Sequence, residues 1–443
     1  MTKKRPNIIF YFSDQQRWDT MGCYGQKLDV TPNLDRLAAE GTLFLNAFTC
    51  QPVCGPARAV LQTGQYATSS GCFTNARSLP LDAKTIPRYL NDAGYSTAYV
   101  GKWHLASDQD SNHYETTAIP EERRGGYKDY WMASDALEHT SHGYNGYMHN
   151  ADNQKVEFTG YRADCVNNFA IDFIRNYEDD KPFFLFVSQI EPHHQNDRNR
   201  YEGPDGSKKR FANYEVPGDL QGTEGDWREN YPDYLGCCAA LDENIGRLFN
   251  TLEEKGILDD TLFIYTSDHG SHFRTRNDEY KRSCHDGCVH IPMIARGPGF
   301  MGGKVVDELV SLVDTPATVL SSVGLDVPEH FHGRPLNQMI NDPNTIWDDS
   351  IFIQISESQV GRSVRTKKWK YAIRAKEDGW TTPHAEVYYE DFLYDLENDP
   401  HEKNNLVRDP NLANERRELA EKLLMHMEKA GETLPEIRKA AIA

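Results

Sequence analysis

The stretch Pro6-Asn7-Ile8-Ile9-Phe10-Tyr11-Phe12-Ser13-Asp14 decides the fold. Residues 8–12 are apolar without a polar alternate, the pattern of a strand buried on both faces. The run stops on a hydroxyl and a carboxylate. In open α/β sheets, ligand sites gather beyond the carboxyl ends of strands, so Asp14 is placed where chemistry is expected.

The same arrangement recurs along the chain. Residues 97–100 read as a strand followed by Lys102 and His104. Residues 183–187 are followed by His193, and residues 262–266 by Asp268 and His269. Residues 291–295 read as a further strand, ended by Gly297-Pro298-Gly299. Helical patterns lie between. Thr31-Pro32 caps a helix with Leu34, Leu37 and Ala38 inward and a stop at Gly41; further helices cover 86–93, 165–177 and 231–255. Strands alternating with helices predict an α/β domain: a large, mostly parallel sheet flanked by helices. Four polar clusters then converge at one sheet edge.

Residues 105–160 and 195–230 are polar and weakly periodic, and are expected to be long loops over that edge. A boundary near Asn341-Asp342-Pro343 divides a catalytic domain, residues 1–345, from a smaller unit, residues 346–443. In the latter, residues 351–355, 364–373 and 388–396 predict a small antiparallel sheet. A helix over 412–430 follows, with Leu419, Leu423 and Met427 on one face.

The 443 residues carry a formal net charge of −19, which argues against nucleic acid or an anionic membrane as partner. No stretch is long and apolar enough to span a membrane. The basic start Met1-Thr2-Lys3-Lys4-Arg5 precedes too short an apolar run for a signal peptide. The nine irregularly spaced cysteines form no disulfide framework. Both predict a cytoplasmic protein; a removed leader would make it periplasmic or secreted.

A second stretch bears on chemistry. Cys54-Gly55-Pro56-Ala57-Arg58 opens a short helix that closes at Gly64, with Pro56 in its first turn. Cys54 therefore sits at a helix N-terminus, which favours an anion, and Arg58 adds a planar cationic fork. Gly101-Lys102-Trp103-His104 places a lysine and a histidine on one side of an extended segment.

With these motifs the chain resembles the formylglycine-dependent sulfatases of the alkaline-phosphatase superfamily. C-x-P-x-R there marks a cysteine for oxidation to an aldehyde, and the usual fourth residue is serine where this chain has Ala57. The resemblance extends over Ser13-Asp14-Gln15, Gly101 to His104, Pro192-His193 and Thr266 to Gly270. It continues over Lys281 to Pro292 and the Leu393-Tyr394-Asp395-Leu396 segment. Gln15 stands where a second carboxylate is usual, and His285-Asp286 replaces a tyrosine-glutamate pair.

What the resemblance implies is specific. Cys54 becomes formylglycine, made by a formylglycine-generating or anaerobic sulfatase-maturing enzyme. Asp14, Gln15, Asp268 and His269, with residue 54, hold one divalent metal. Calcium is the family default, and magnesium or manganese suit a set with fewer carboxylates and one nitrogen. Arg58, Lys102 and Lys281 bind the sulfuryl group, His193 with Lys281 protonates the leaving alcohol, and His104 serves as base. The implied substrate is a sulfate ester on a small saccharide. Arg198, Arg200, Lys208, Lys209, Arg210, Arg274 and Arg276 are candidates to read an acidic sugar. Two alternatives stay open: a phosphodiesterase or phosphonate monoester hydrolase, and a non-catalytic glycan-binding relative.

Overall fold

The computed structural model describes residues 5–342 and 344–440. Residues 1–4, with Lys3 and Lys4 of the basic start, Pro343 at the expected boundary, and residues 441–443 lie outside the described residues.

Among the described residues an eleven-stranded sheet forms the centre of the molecule. Its strands are β1 (Asn7–Ser13), β2 (Thr42–Phe48), β3 (Ser96–Lys102), β4 (Tyr130–Ser134), β5 (Ser141–His142), β6 (Asn145–Asn150), β7 (Lys155–Thr159), β8 (Phe183–Ser188), β9 (Thr261–Ser267), β10 (Met293–Arg296) and β11 (Lys304–Ser311). They follow the order β11-β2-β10-β9-β1-β8-β3-β4-β6-β5, with β7 beside β6. The block β9-β1-β8-β3-β4 is parallel throughout, and β10 runs against both β9 and β2.

Burial on both faces explains the unbroken apolar runs. Phe10 and Phe12 point into one core with Phe184, Phe186 and Ile264. Ile9 and Tyr11 point into the other with Leu185, Val187 and Phe263. The long helix Trp227–Glu254 and the helix Arg162–Asn176 cover the second face. Asp242 of the long helix accepts hydrogen bonds from the backbone N–H groups of Asn33 (3.0 Å) and Leu34 (2.7 Å). The helix Pro32–Glu40 is thus capped by a distant carboxylate. Thr31 accepts instead from the Gly22 N–H, so the expected local cap is corrected.

The expected loop over residues 105–160 is also corrected. It contains β4 to β7, of which β6 and β7 form an antiparallel hairpin. The expected strand over 364–373 is two strands. Here β12 (Ser350–Ile355), β13 (Gly361–Thr366), β14 (Trp369–Arg374), β15 (Val387–Asp395) and β16 (Glu436–Arg438) make a second sheet in that order. It is antiparallel except for the β15–β16 pair. The helix Ala413–Lys429 lays Leu419, Leu423 and Met427 against it, and these side chains join the core that contains Phe10 and Phe12. The two sheets therefore share apolar packing.

The parallel block positions the site. Ser13 pairs with Ser267, Phe12 with Ser188, and Gly101 with Ser188. Four adjacent strands thus end at one level, each followed by polar residues. Gly101 has a positive φ of 107°, and a Cβ there would sit 1.9 Å from the Ser188 carbonyl oxygen. Only glycine lets β3 run this close to β8 just before Lys102.

Candidate active site

Cys54 begins the helix Cys54–Thr63, every residue of which is buried, and Gly64 closes it in the left-handed conformation. The Cys54 thiol meets three groups. Nζ of Lys281 donates to Sγ at 2.7 Å, Nε2 of His269 lies at 3.3 Å, and Oδ1 of Asp14 at 3.4 Å. Burial first, then the Asp14 charge, pushes this thiol up to about 12, against the pull of Lys102 and Lys281. As a cysteine, residue 54 is therefore a protonated thiol at neutral pH and a poor nucleophile.

Asp14 is the hub. Its Oδ2 accepts from Arg58 at 3.0 Å and from Lys102 at 2.9 Å. Burial alone would raise this carboxyl. Lys102, Arg58 and Lys281 outweigh it and hold Asp14 well below the usual carboxylate range. Asp268 moves the other way: burial and the neighbouring Asp14 charge push it up to about 7. Two carboxylates in one dry site cannot both ionise freely without a further cation.

The donor set fits such a cation. Ligand atoms of Asp14, Cys54, Asp268 and His269 lie within 4.8 Å of one another, all buried. Oδ2 of Asp268 has no hydrogen-bond partner, and the nearest ion-pair contact is Arg58 at 3.8 Å. Nδ1 of His269 faces the Gly270 carbonyl at 2.8 Å, which assigns the proton to Nδ1 and turns the Nε2 lone pair to the cluster. Gln15 lines the cavity beside this group. Its carboxamide donates to Tyr201 (2.8 Å) and Ser271 (3.3 Å), while its backbone N–H donates to Asp268.

Arg58 is held rigidly, with one guanidinium nitrogen bonded to the Lys102 carbonyl (2.8 Å) and Ser188 Oγ (2.6 Å). Trp103 is fully buried against Tyr99 and Trp131. That packing sends its neighbours Lys102 and His104 to the site side. The next turn is tied down by Asp135, whose carboxylate accepts three successive N–H groups, Leu105 to Ser107. His104 lines the cavity; burial and Lys102 lower it to about 3, so its imidazole is neutral. His193 is likewise held neutral, by burial and by Lys281, whose Nζ lies 3.3 Å from its Nε2. Lys281 stays protonated: the Asp14 charge raises it against the effect of burial. In the free site the shared proton therefore belongs to Lys281. His194 turns away and bonds Tyr280 and Asn196.

A cavity of about 250 Å³ opens over Cys54, His104, His193 and Lys281. Asp14, Gln15, Cys54, Arg58, Lys102, His104, His193, Lys281, Asp268 and His269 are thus brought to one place from separate parts of the chain. The expected basic reading surface is not part of it: Arg198, Arg200, Lys208 and Lys209 line a separate cavity of about 600 Å³. Arg198 and Arg200 both bind Glu202, Lys208 faces Asp233 and Arg210 faces Glu243. Arg274 lies over the Tyr280 ring and Arg276 donates to the carbonyls of His401 and Glu402. Lys209 is exposed on the short helix Ser207–Arg210.

Glu138 is a site residue that sequence reasoning missed. It follows β4, inside the stretch expected to be a loop, and its Oε1 accepts from Lys102 at 3.0 Å. Recognising Tyr130–Ser134 as a fifth parallel strand would have found it by the rule that found Asp14.

Residues 6–325 match the family model described as Sulfatase, and residues 278–429 match the one described as N-sulphoglucosamine sulphohydrolase, C-terminal. The chain is 27% identical to an N-acetylglucosamine-6-O-sulfatase of Bacteroides thetaiotaomicron, over 95% of this chain and 86% of that one. It is 31% identical to the uncharacterized sulfatase YidJ of Escherichia coli, over 96% and 88%. A crystal structure of the putative sulfatase yidJ from Bacteroides fragilis superposes with a TM-score of 0.84, at 26% identity, covering 98% of each chain.

Proposed function

The chain belongs to the sulfatase family, and on that premise we propose that this sulfuric ester hydrolase removes sulfate from a saccharide, with formylglycine made from Cys54 as the reacting group. The observation that carries the reading is the seat of Cys54. It lies at a helix N-terminus, touching Lys281, beside a four-residue donor set. The N-acetylglucosamine-6-O-sulfatase relative supports a carbohydrate substrate.

As a formylglycine hydrate, residue 54 would carry two hydroxyls on one carbon, one to attack sulfur and one whose proton, when removed, lets inorganic sulfate leave. A divalent ion held by Asp14, Asp268, His269 and residue 54, with Gln15 alongside, would lower the pKa of that hydroxyl and neutralise sulfate oxygens. Calcium suits the carboxylate oxygens; magnesium and manganese are the comparison ions. Arg58, Lys102 and Lys281 face the same point and would hold the charge of the sulfuryl group. The alcohol leaves with a proton from the Lys281–His193 pair, and the negative charge of bound sulfate favours that proton on His193. His104, neutral and lining the cavity, takes the proton of the second hydroxyl.

We further propose that a formylglycine-generating or anaerobic maturing enzyme acts on Cys54 before it is buried in the folded core. All nine cysteines are unpaired, which supports a cytoplasmic location. Cell fractionation that places the protein elsewhere would reject it.

Peptide mass spectrometry of active protein tests the central reading. Formylglycine at position 54 is expected; fully active protein with only unmodified cysteine there would overturn it. Paired sulfate and phosphate esters of one alcohol separate sulfatase from phosphoesterase action.

A further inference from the structure

The floor of the cavity is cationic but its walls are not. Glu115, Glu138 and Glu279 line it. Among the wall residues Arg282 adds a positive charge, and its guanidinium is already committed to Glu357 and to Glu279, the latter at 3.2 Å. Lys102 is shared between two carboxylates, Asp14 at 2.9 Å and Glu138 at 3.0 Å. Glu138 is the informative one. Its side chain is only 10% exposed, Oε1 is used by Lys102, and Oε2 has no hydrogen-bond partner.

A buried carboxylate oxygen without a protein donor is completed by water or by substrate, and Glu138 lines the cavity where either could supply it. A carboxylate next to a sulfate-binding lysine also repels a substrate whose only charge is negative. Both points are met if the substrate brings a positive donor. Resting on the sulfatase reading above, we infer that the cavity takes a sulfate ester whose alcohol carries an ammonium group close to the ester oxygen, received by Glu138. The spacing follows from the shared lysine: a group on Oε2 of Glu138 lies next to whatever Lys102 binds. An amino sugar with a free amine beside the sulfated position has this chemistry. A second anion on the substrate would face the glutamate wall, which selects against it.

The test uses small probes that do not depend on which sugar is cleaved. The competition constants of 2-aminoethyl sulfate, 2-hydroxyethyl sulfate, ethyl sulfate and the sulfate ester of glycolic acid are measured against 4-nitrophenyl sulfate hydrolysis by the mature, metal-loaded enzyme. The ammonium probe should bind roughly tenfold or more tighter than ethyl sulfate, the yield of one charge-assisted hydrogen bond. The glycolate probe should bind weakest. Glu138→Gln should shrink the ammonium-to-ethyl ratio towards one, whatever it does to turnover through Lys102. Equal binding of the ammonium and ethyl probes to the unaltered enzyme would overturn the inference, and so would a ratio that Glu138→Gln leaves intact. If Glu138→Gln does not fold, the order of the four probes on the unaltered enzyme decides. Failure to hydrolyse any sulfate ester, 4-nitrophenyl sulfate included, would remove the sulfatase reading itself and the inference with it.

Discussion

Nζ of Lys281 stands 3.3 Å from Nε2 of His193 and carries the proton that the two nitrogens share. The same ammonium touches Cys54 at 2.7 Å. One cation therefore links Cys54 to the histidine assigned to the leaving group.

This link separates the two residues by substrate. A sugar alkoxide needs a proton as it leaves, whereas a nitrophenolate needs it far less. His193→Ala should cut hydrolysis of a sugar sulfate by roughly 10²–10⁴-fold and of 4-nitrophenyl sulfate only mildly. Lys281→Ala should depress both, because it also contacts residue 54. Equal loss on both substrates in His193→Ala would reassign that histidine to sulfate binding.

Arg58→Ala should slow both substrates by about the same factor. Its fork binds Asp14, which also touches Cys54, and the charge of the sulfate assigned to that point does not depend on the alcohol. Steady-state kcat/KM on the two substrates checks this, and a loss confined to the sugar sulfate would contradict it.

Metal removal should lower activity and thermal stability together. Asp14 and Asp268 then face each other in a buried site without an added cation. Dialysis against a chelator, followed by add-back, should restore both properties, with calcium ahead of magnesium and manganese. At a free metal concentration of 100 times Kd the stabilisation is about 2.7 kcal/mol. A melting temperature and a rate that both ignore chelation would exclude the ion.

The contribution of Asp242 to stability should fall as pH rises from about 4 to about 6, against the opposite trend of buried neutral histidines such as His104 and His290. Burial raises this carboxyl from 3.8 to about 6. The unfolded chain loses the proton first, so between these values the folded state binds more protons and loses stability with rising pH. The effect is on the order of 2–3 kcal/mol. Asp242→Asn should remove this contribution, so the stability of the variant relative to the unaltered protein should rise over this pH range, as read by urea midpoints at several pH values. An unchanged slope would show that Asp242 titrates normally.

Lys370→Met should destabilise the fold by about 3–5 kcal/mol. Its buried ammonium bonds both Asp286 and Glu402, tying β14 to the short helix Asp286–Val289 that follows Lys281. Removing it takes the paired cation from buried Glu402 and leaves Asp286 with Arg365 alone. Denaturant unfolding measures the loss, and a change below about 1 kcal/mol would show that the network relaxes.

Much of the fold and site was legible in the residues alone. A strand buried on both faces must be apolar at every position, so residues 8–12, 183–187 and 262–266 announced themselves, and the polar residues after them marked the edge. The Cys54 helix was equally local, set by Pro56 and Gly64. Other elements depended on partners far away in sequence. Asn145–Asn150 carries weak strand propensity and becomes β6 because β4, β5 and β7 pair with it. The Pro32–Glu40 helix takes its cap from Asp242, about two hundred residues on, so no local signal at Thr31 could reveal it. Glu138 belongs to no motif; only the parallel pairing of β4 with β3 brings it to Lys102. The sequence by itself determined which residues could carry the chemistry, because residue type and strand periodicity are local properties. Tertiary structure alone decided which of them share a charge, a proton or a cavity, because those depend on distances set by sheet register and burial.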